Sequence, residues 1–209
     1  MKLINVFLLS FSIVLLFGCN KGAGTFTLEG VITDASFNQP LAGAAVELYG
    51  ISGGNNQYAL VASTVTGEDG KYAFTFDRTR TEKYTLYVKK NQYFEQELEV
   101  YYSQLKLKET NIRNVSTTAK SWVEIKIFNN NAANNDHLQF IRQQGKNGCS
   151  ECCFSGITHL YGFQDTSIFC INDGNSLYSI EYAVFGTSNT GILGVTTTPF
   201  DTTVLNLTY

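Results

Sequence analysis

From Thr25 onward, hydrophobic residues recur at every second position. Phe26, Leu28 and Ile32 fall on one side of an extended strand, and Val46 and Leu48 repeat the pattern. Tyr72, Phe74 and Phe76 continue it, as do Tyr84, Leu86 and Val88. Phe94, Leu98 and Val100 come next, with Glu95, Glu97 and Glu99 on the opposite side. Successive strand side chains alternate between faces, so each run predicts a strand with one buried face. Asn38-Gln39-Pro40, Gly50 to Asn56, Gly67-Glu68-Asp69-Gly70 and Asn91 separate the runs as turns. No stretch holds a helical period over three turns. Short strands at near-regular spacing predict an antiparallel β-sandwich.

The pattern continues in the second half. Val123, Ile125 and Ile127 alternate with Trp122, Glu124 and Lys126 across 121–128. Further strands are expected over 138–142, 156–163, 167–171, 177–185, 192–197 and 203–209. Residues 129–135, all Asn and Ala, form a polar loop, and the polar stretch 111–120 reads as the junction between halves. The fold class expected is therefore all-β: a β-sandwich over 25–110 and a second β-rich domain, itself a sandwich, over 121–209. The pattern leaves open whether 121–128 completes the first sheet or opens the second domain.

Composition narrows the function. Hydrophobic residues make up 44% of the 209, enough to fill a core and exclude wholesale disorder. Net charge is −3, and −4 without residues 1–18, which include Lys2. Such a mild balance offers no basic surface for nucleic acid. Met1-Lys2 precedes an almost wholly apolar run from Leu3 to Phe17, too short for a spanning helix of ~20 residues but suited to a secretory signal. Leu16-Phe17-Gly18-Cys19 resembles the lipobox of bacterial lipoproteins. That resemblance implies cleavage before Cys19, acylation (palmitate among the chains) at Cys19, and a lipid-anchored place in the cell envelope. Asn20 after the cysteine is not the aspartate that retains such proteins at the inner membrane, so the outer membrane is expected. Residues 19–24 read as a flexible tether.

Three motifs in the first half carry a second resemblance. Gly30-Val31-Ile32-Thr33-Asp34, Pro40 to Leu48 and Thr66 to Phe74 are similar to the carboxypeptidase regulatory-like domain. The resemblance covers residues 25–108 and implies a transthyretin-like, seven-stranded β-sandwich. It implies little about function, because that module is appended to many envelope proteins. Within these motifs, Asp69-Gly70 reads as a turn in which a positive φ is cheap, and Glu68 with Asp69 offers too few oxygens for calcium. Glu95, Glu97 and Glu99 read as one solvated strand face.

The chemistry-bearing cluster is Cys149, Cys152, Cys153 and Cys170. In an oxidising compartment these residues are expected to form two disulfides. Adjacent cysteines pair badly, leaving Cys149–Cys152 with Cys153–Cys170, or Cys149–Cys153 with Cys152–Cys170. Two rival readings are a redox Cys-x-x-Cys, which calls for a helix N-terminus, and zinc held by Cys149, Cys152 or Cys153, His159 and Cys170. His137 follows a polar loop and should be exposed. His159, on a side shared with Ile157, Tyr161 and Phe163, is expected as a hydrogen-bonded core residue. No catalytic constellation, cofactor or metal site emerges. The reading is a non-enzymatic envelope lipoprotein acting in binding, adhesion or assembly. It would contact the membrane through Cys19 and a protein or glycan through its sandwich surfaces. The alternative is a thiol–disulfide exchanger or hydrolase working from the second domain.

Overall fold

The structure, a computed structural model, describes residues 24–52, 57–79, 81–130 and 136–209. The first half contains β1 (Thr25–Asp34), β2 (Gln39–Pro40), β3 (Ala45–Ser52), β4 (Gln57–Val65), β5 (Lys71–Asp77), β6 (Lys83–Lys89), β7 (Gln96–Tyr101), β8 (Thr110–Ile112) and β9 (Val115–Thr117). β1 is flanked by β5 and β2 on one edge and by β8 and β9, running parallel to it, on the other. The facing sheet runs β4-β3-β6-β7, all antiparallel. With β8 and β9 taken as one interrupted strand, and two-residue β2 aside, seven strands build the sandwich. Among the described residues the helical content is a single 3-10 turn, Tyr102–Gln104.

The inward set is the period-two set. Phe26, Leu28, Ile32, Val46, Leu48, Tyr72, Phe74, Phe76, Tyr84, Leu86, Val88 and Val100 share one buried cluster. Each large side chain removed from water there contributes about 1.5–3 kcal/mol. The three motifs meet at one end of the sandwich. Ile32 N–H donates to the Gly70 carbonyl at 2.8 Å, and Leu41 N–H donates to the Ile32 carbonyl at 2.9 Å. The buried Thr66 hydroxyl accepts from Ala44 N–H at 2.9 Å and donates to the Leu41 carbonyl at 2.6 Å. Two glycines are demanded by close backbone approach. A Cβ on Gly30 would lie 1.9 Å from the Arg113 carbonyl oxygen, where the chain steps from β8 to β9. A Cβ on Gly70, at φ +67°, would lie 2.5 Å from the Ile32 carbonyl oxygen.

The second half contains β10 (Lys120–Phe128), β11 (His137–Gln144), β12 (Thr158–Tyr161), β13 (Asp165–Asp173), β14 (Leu177–Val184), β15 (Thr190–Thr196) and β16 (Thr202–Thr208). Each matches a strand expected from the sequence. One sheet is β13-β10-β16, and the other is β12-β11-β14-β15. Between them Val123, Ile125, Ile127, Leu138, Phe140, Tyr178, Ile180, Leu205 and Leu207 form a second buried cluster. β10 pairs with β13 and β16, so 121–128 lies in the second half's sheet.

The structure differs from the expected pattern in several places. Gln39–Pro40, inside one expected turn, form β2, and Gly50 to Ser52, expected to open another, belong to β3. The expected antiparallel order gives way where β8 and β9 run parallel to β1 and β16 runs parallel to β10. Residues 111–117, expected as part of a polar junction, supply all of β9 and all of β8 but its first residue. Three-residue strands among polar residues leave no alternation to read. β4 was not legible because it is an edge strand whose register shifts opposite Leu48 and Tyr49, and Tyr58, Leu60 and Val65 stand exposed along it.

The halves meet closely. Lys120 N–H donates to the Gln92 carbonyl at 2.7 Å, Ala119 N–H to Ser36 Oγ at 2.9 Å, and the Asn175 amide to the Ser36 carbonyl at 2.8 Å. The Phe200 ring lies 6.1 Å from Phe37 and 5.4 Å from Tyr93. Lys146 sits 4.1 Å above the Phe94 ring and 2.7 Å from Asp173. Buried Asp34 anchors the first side of this seam, accepting the Tyr93 hydroxyl at 2.8 Å and Ser36 N–H at 2.9 Å.

Candidate functional site

β1 runs from Thr25 toward this seam, and β10 starts at the seam and ends at Phe128. The far end of the second half is therefore where β10, β12 and β14 finish and β11 begins. The register places His137 opposite Tyr161 and Leu138 opposite Val184. Strand alternation then turns Tyr161, His137 and Phe185 outward while Leu138, Leu160 and Val184 face the core.

The result is an aromatic rim. The His137 ring is stacked between Tyr161 and Phe185, each at 4.3 Å between centroids. His137 Nε2 and His159 Nδ1 are 2.8 Å apart and share a hydrogen bond. Phe163 meets Phe128 edge to face at 6.5 Å. Tyr161 and Phe163 keep 66% and 62% of their surface in water. Ile157 and Ile192 extend the apolar surface along the same outer face. A shallow depression of about 350 Å³ opens there, lined by Gln139, Ile141, Ile157, Glu181, Ala183 and Thr190 among others. Gln139, Glu181 and Thr190 interrupt the apolar residues across this face, so it offers both rings and hydrogen-bonding groups to solvent.

His159 is therefore exposed and not a core residue. The expectation fails because the more apolar side of β12, with Ile157, Tyr161 and Phe163, faces solvent, while the side of Thr158, Leu160 and Gly162 packs inward through Leu160 alone. Period alone does not say which side of an edge strand faces the partner sheet. His137, expected to be exposed, is half-buried by its two ring neighbours.

The cysteines form Cys149–Cys152 and Cys153–Cys170, the first of the two pairings left open. The zinc set is dissolved, because its sulfurs are bonded to one another. Cys149 and Cys152 lie in a turn closed by a Cys152 N–H to Cys149 carbonyl bond of 3.2 Å, not at a helix N-terminus. Among the described residues no group of three or more His, Cys, Asp or Glu is placed to hold a metal. Arg142, which the sequence did not single out, organises this loop. Its guanidinium donates to the Lys146 carbonyl at 2.7 Å, the Cys153 carbonyl at 3.2 Å and the Asn147 side chain. Cys19 lies outside the described residues.

A second concavity, about 670 Å³, lies at the seam between Lys89, Gln92, Phe94, Lys120, Cys149 and Glu151. Its charges are largely spent within the protein: Lys120 pairs with Glu151 at 3.4 Å, and Lys90 donates to the Ala42 carbonyl at 2.8 Å. The acidic features of the first half are structural. Asp69 accepts Lys71 N–H at 3.1 Å across its turn, and the Lys71 side chain holds its carboxyl below the ordinary value. Glu95, Glu97 and Glu99 face solvent, and Lys83 beside Glu99 lowers that carboxyl likewise.

No family model and no curated protein matches this chain. Among solved structures it is similar to the Bacillus anthracis TIE protein, at 16% identity and TM-score 0.40, covering 89% of this chain and 34% of that one. It is also similar to the shaft pilin SpaA of Lactobacillus rhamnosus GG, at 7% identity and TM-score 0.36, covering 89% and 97%. Catechol 1,2-dioxygenase of Acinetobacter sp. ADP1 aligns at 12% identity and TM-score 0.36, over 49% of this chain and 55% of that one. The chain thus spans about half of the dioxygenase and a third of the TIE protein. At these scores the likenesses carry no functional argument.

Proposed function

We propose that this chain is a non-enzymatic, lipid-anchored module of the cell envelope, in the outer membrane, that binds a protein or glycan through the aromatic rim of its second half. The carrying observation is the placement of the rim. It lies two strands away from Thr25, where the first sandwich begins. β1 and β10 each span about 30 Å at ~3.3 Å per residue. A tether at Cys19 would leave that rim as the part reaching farthest from the membrane. Tyr and Phe rings in solvent supply large contact area at small entropic cost, which suits a binding end. The alternative enzyme has nothing comparable behind it: the four cysteines are bridged, and the histidines bond to each other.

Two measurements test this reading. A photo-reactive residue at Phe163, compared with one at Leu60 on the exposed edge of the first half, should capture a partner in cells at the former position only. Equal capture at both positions, or none at Phe163, removes the rim from the proposal. For the anchor, fatty-acid labelling should vanish in Cys19→Ala, and label retained by that variant ends the lipoprotein reading.

A further inference from the structure

We propose that His137 and His159 form a two-imidazole site for a divalent copper ion. The site lies within the rim, but it does not rest on the rim having a macromolecular partner. Three features of the geometry carry it. First, two nitrogens from different strands, His137 Nε2 on β11 and His159 Nδ1 on β12, converge to 2.8 Å. The register makes the two residues diagonal cross-strand neighbours, since His159 lies opposite Gln139 and His137 opposite Tyr161. Second, the His137 ring is held rather than free. Tyr161 and Phe185 stack on it at 4.3 Å on each side, with interplanar angles of 19° and 9°. A ligand already fixed in orientation loses little freedom on coordination. Third, His159 stands exposed on the edge strand, so an ion can reach the pair from solvent.

The 2.8 Å is the length of the hydrogen bond between the two rings. Taking up an ion in place of that shared proton turns the rings so that both lone pairs meet at the metal, and with metal–nitrogen bonds of about 2.05 Å nitrogens about 2.9 Å apart subtend roughly 90°. An angle near 90° is the cis angle of a tetragonal site. Nitrogen and oxygen donors in that geometry favour copper(II), which also heads the affinity order of the divalent first-row metals. Water completes the coordination sphere, because no third His, Cys, Asp or Glu joins the pair among the described residues. The proton now shared between the two rings moves to the donor ring's other nitrogen. A neutral pair therefore takes up the ion with no net proton loss.

The test uses the full chain in detergent, titrated with Cu²⁺ buffered by free glycine and followed by electron paramagnetic resonance. The expected result is one tightly held Cu²⁺ per chain with a tetragonal spectrum showing hyperfine coupling to two imidazole nitrogens. His137→Phe keeps a ring in the stack and removes the nitrogens, and His159→Gln removes the second ligand. Each should weaken binding at least ~10-fold and erase the two-nitrogen pattern, with the thermal midpoint of the metal-free protein unchanged. Equal Cu²⁺ affinity in wild type and the double variant overturns the site. So does a wild-type spectrum with fewer than two imidazole nitrogens.

Discussion

Phe26, Phe74, Phe76 and Tyr84 of the first half are buried, whereas Tyr161, Phe163, Phe169 and Phe185 of the second stand largely in water. The halves share one architecture, two sheets around one apolar cluster, yet they are held together differently. The first relies on rings in its core and on backbone closeness at Gly30 and Gly70. The second fills its interior mainly with aliphatic side chains and adds two disulfides. Rings not needed inside are available outside. The second half thus leaves on its surface the kind of ring that the first half spends on its core, while covalent bridges hold the loop beside that core.

The strongest way to break this contrast is at Gly30. Gly30→Ala drives a methyl group into the Arg113 carbonyl and should cost about 3–4 kcal/mol, or prevent folding of the first half altogether. Urea unfolding followed by hydrogen exchange should show β1, β8 and β9 losing protection while β10–β16 retain theirs. Equal loss in both halves would show that they do not differ in this way.

Reduction probes the other side. The Cys153–Cys170 bridge closes a loop with a sequence separation of 17, for which chain entropy assigns ~3 kcal/mol. Cys149–Cys152, with a separation of 3, should contribute less. Reduction should add four hydrogens to the intact mass, two for each bridge, and raise exchange over 145–171 while the first sandwich stays protected. An unchanged mass on reduction would refute the bridges.

Phe200 tests the seam. Phe200→Ala removes the ring packed between Phe37 and Tyr93 and should cost about 1–2 kcal/mol. Calorimetry should then resolve two transitions where wild type gives one, and a single transition in the variant would mean the seam depends on other contacts.

Alkaline pH sharpens the contrast more gently. Tyr72 is 4% exposed, and its hydroxyl donates to the Arg113 carbonyl at 2.7 Å. Burial pushes its pKa well above the ordinary tyrosine value, with the Arg113 charge opposing only in part. The unfolded chain then loses the proton first, so the contribution is complete below about pH 10 and falls by ~1 kcal/mol per pH unit above it. Base titration should therefore weaken the first half, and Tyr72→Phe should flatten that slope.

The smallest effect is expected at Asp69. Its carboxyl is held low by Lys71, so any stabilisation is present above the usual aspartate range and lost as pH falls through the lowered value. The pair is exposed and screened, so Asp69→Asn should leave the acid midpoint where it is.

Alternation from Thr25 to Tyr209 was enough to place the strands that bury one face, because burial imposes the period on each strand independently. The core residues were legible for that reason, the turn at Asp69-Gly70 from glycine's tolerance of positive φ, and the choice between two cysteine pairings from the poor pairing of adjacent cysteines. β4, β8 and β9 were not, because an edge strand with a shifted register and two three-residue strands are defined by their partners rather than by their own residues. The tertiary structure alone decided that Cys149 pairs with Cys152, that 121–128 joins the second half, and that the Tyr161 side of β12 faces water. It also brought His137 and His159 together from 22 residues apart. Which neighbour a strand finds, and which of its two sides that neighbour covers, depends on long-range pairing that no local pattern encodes.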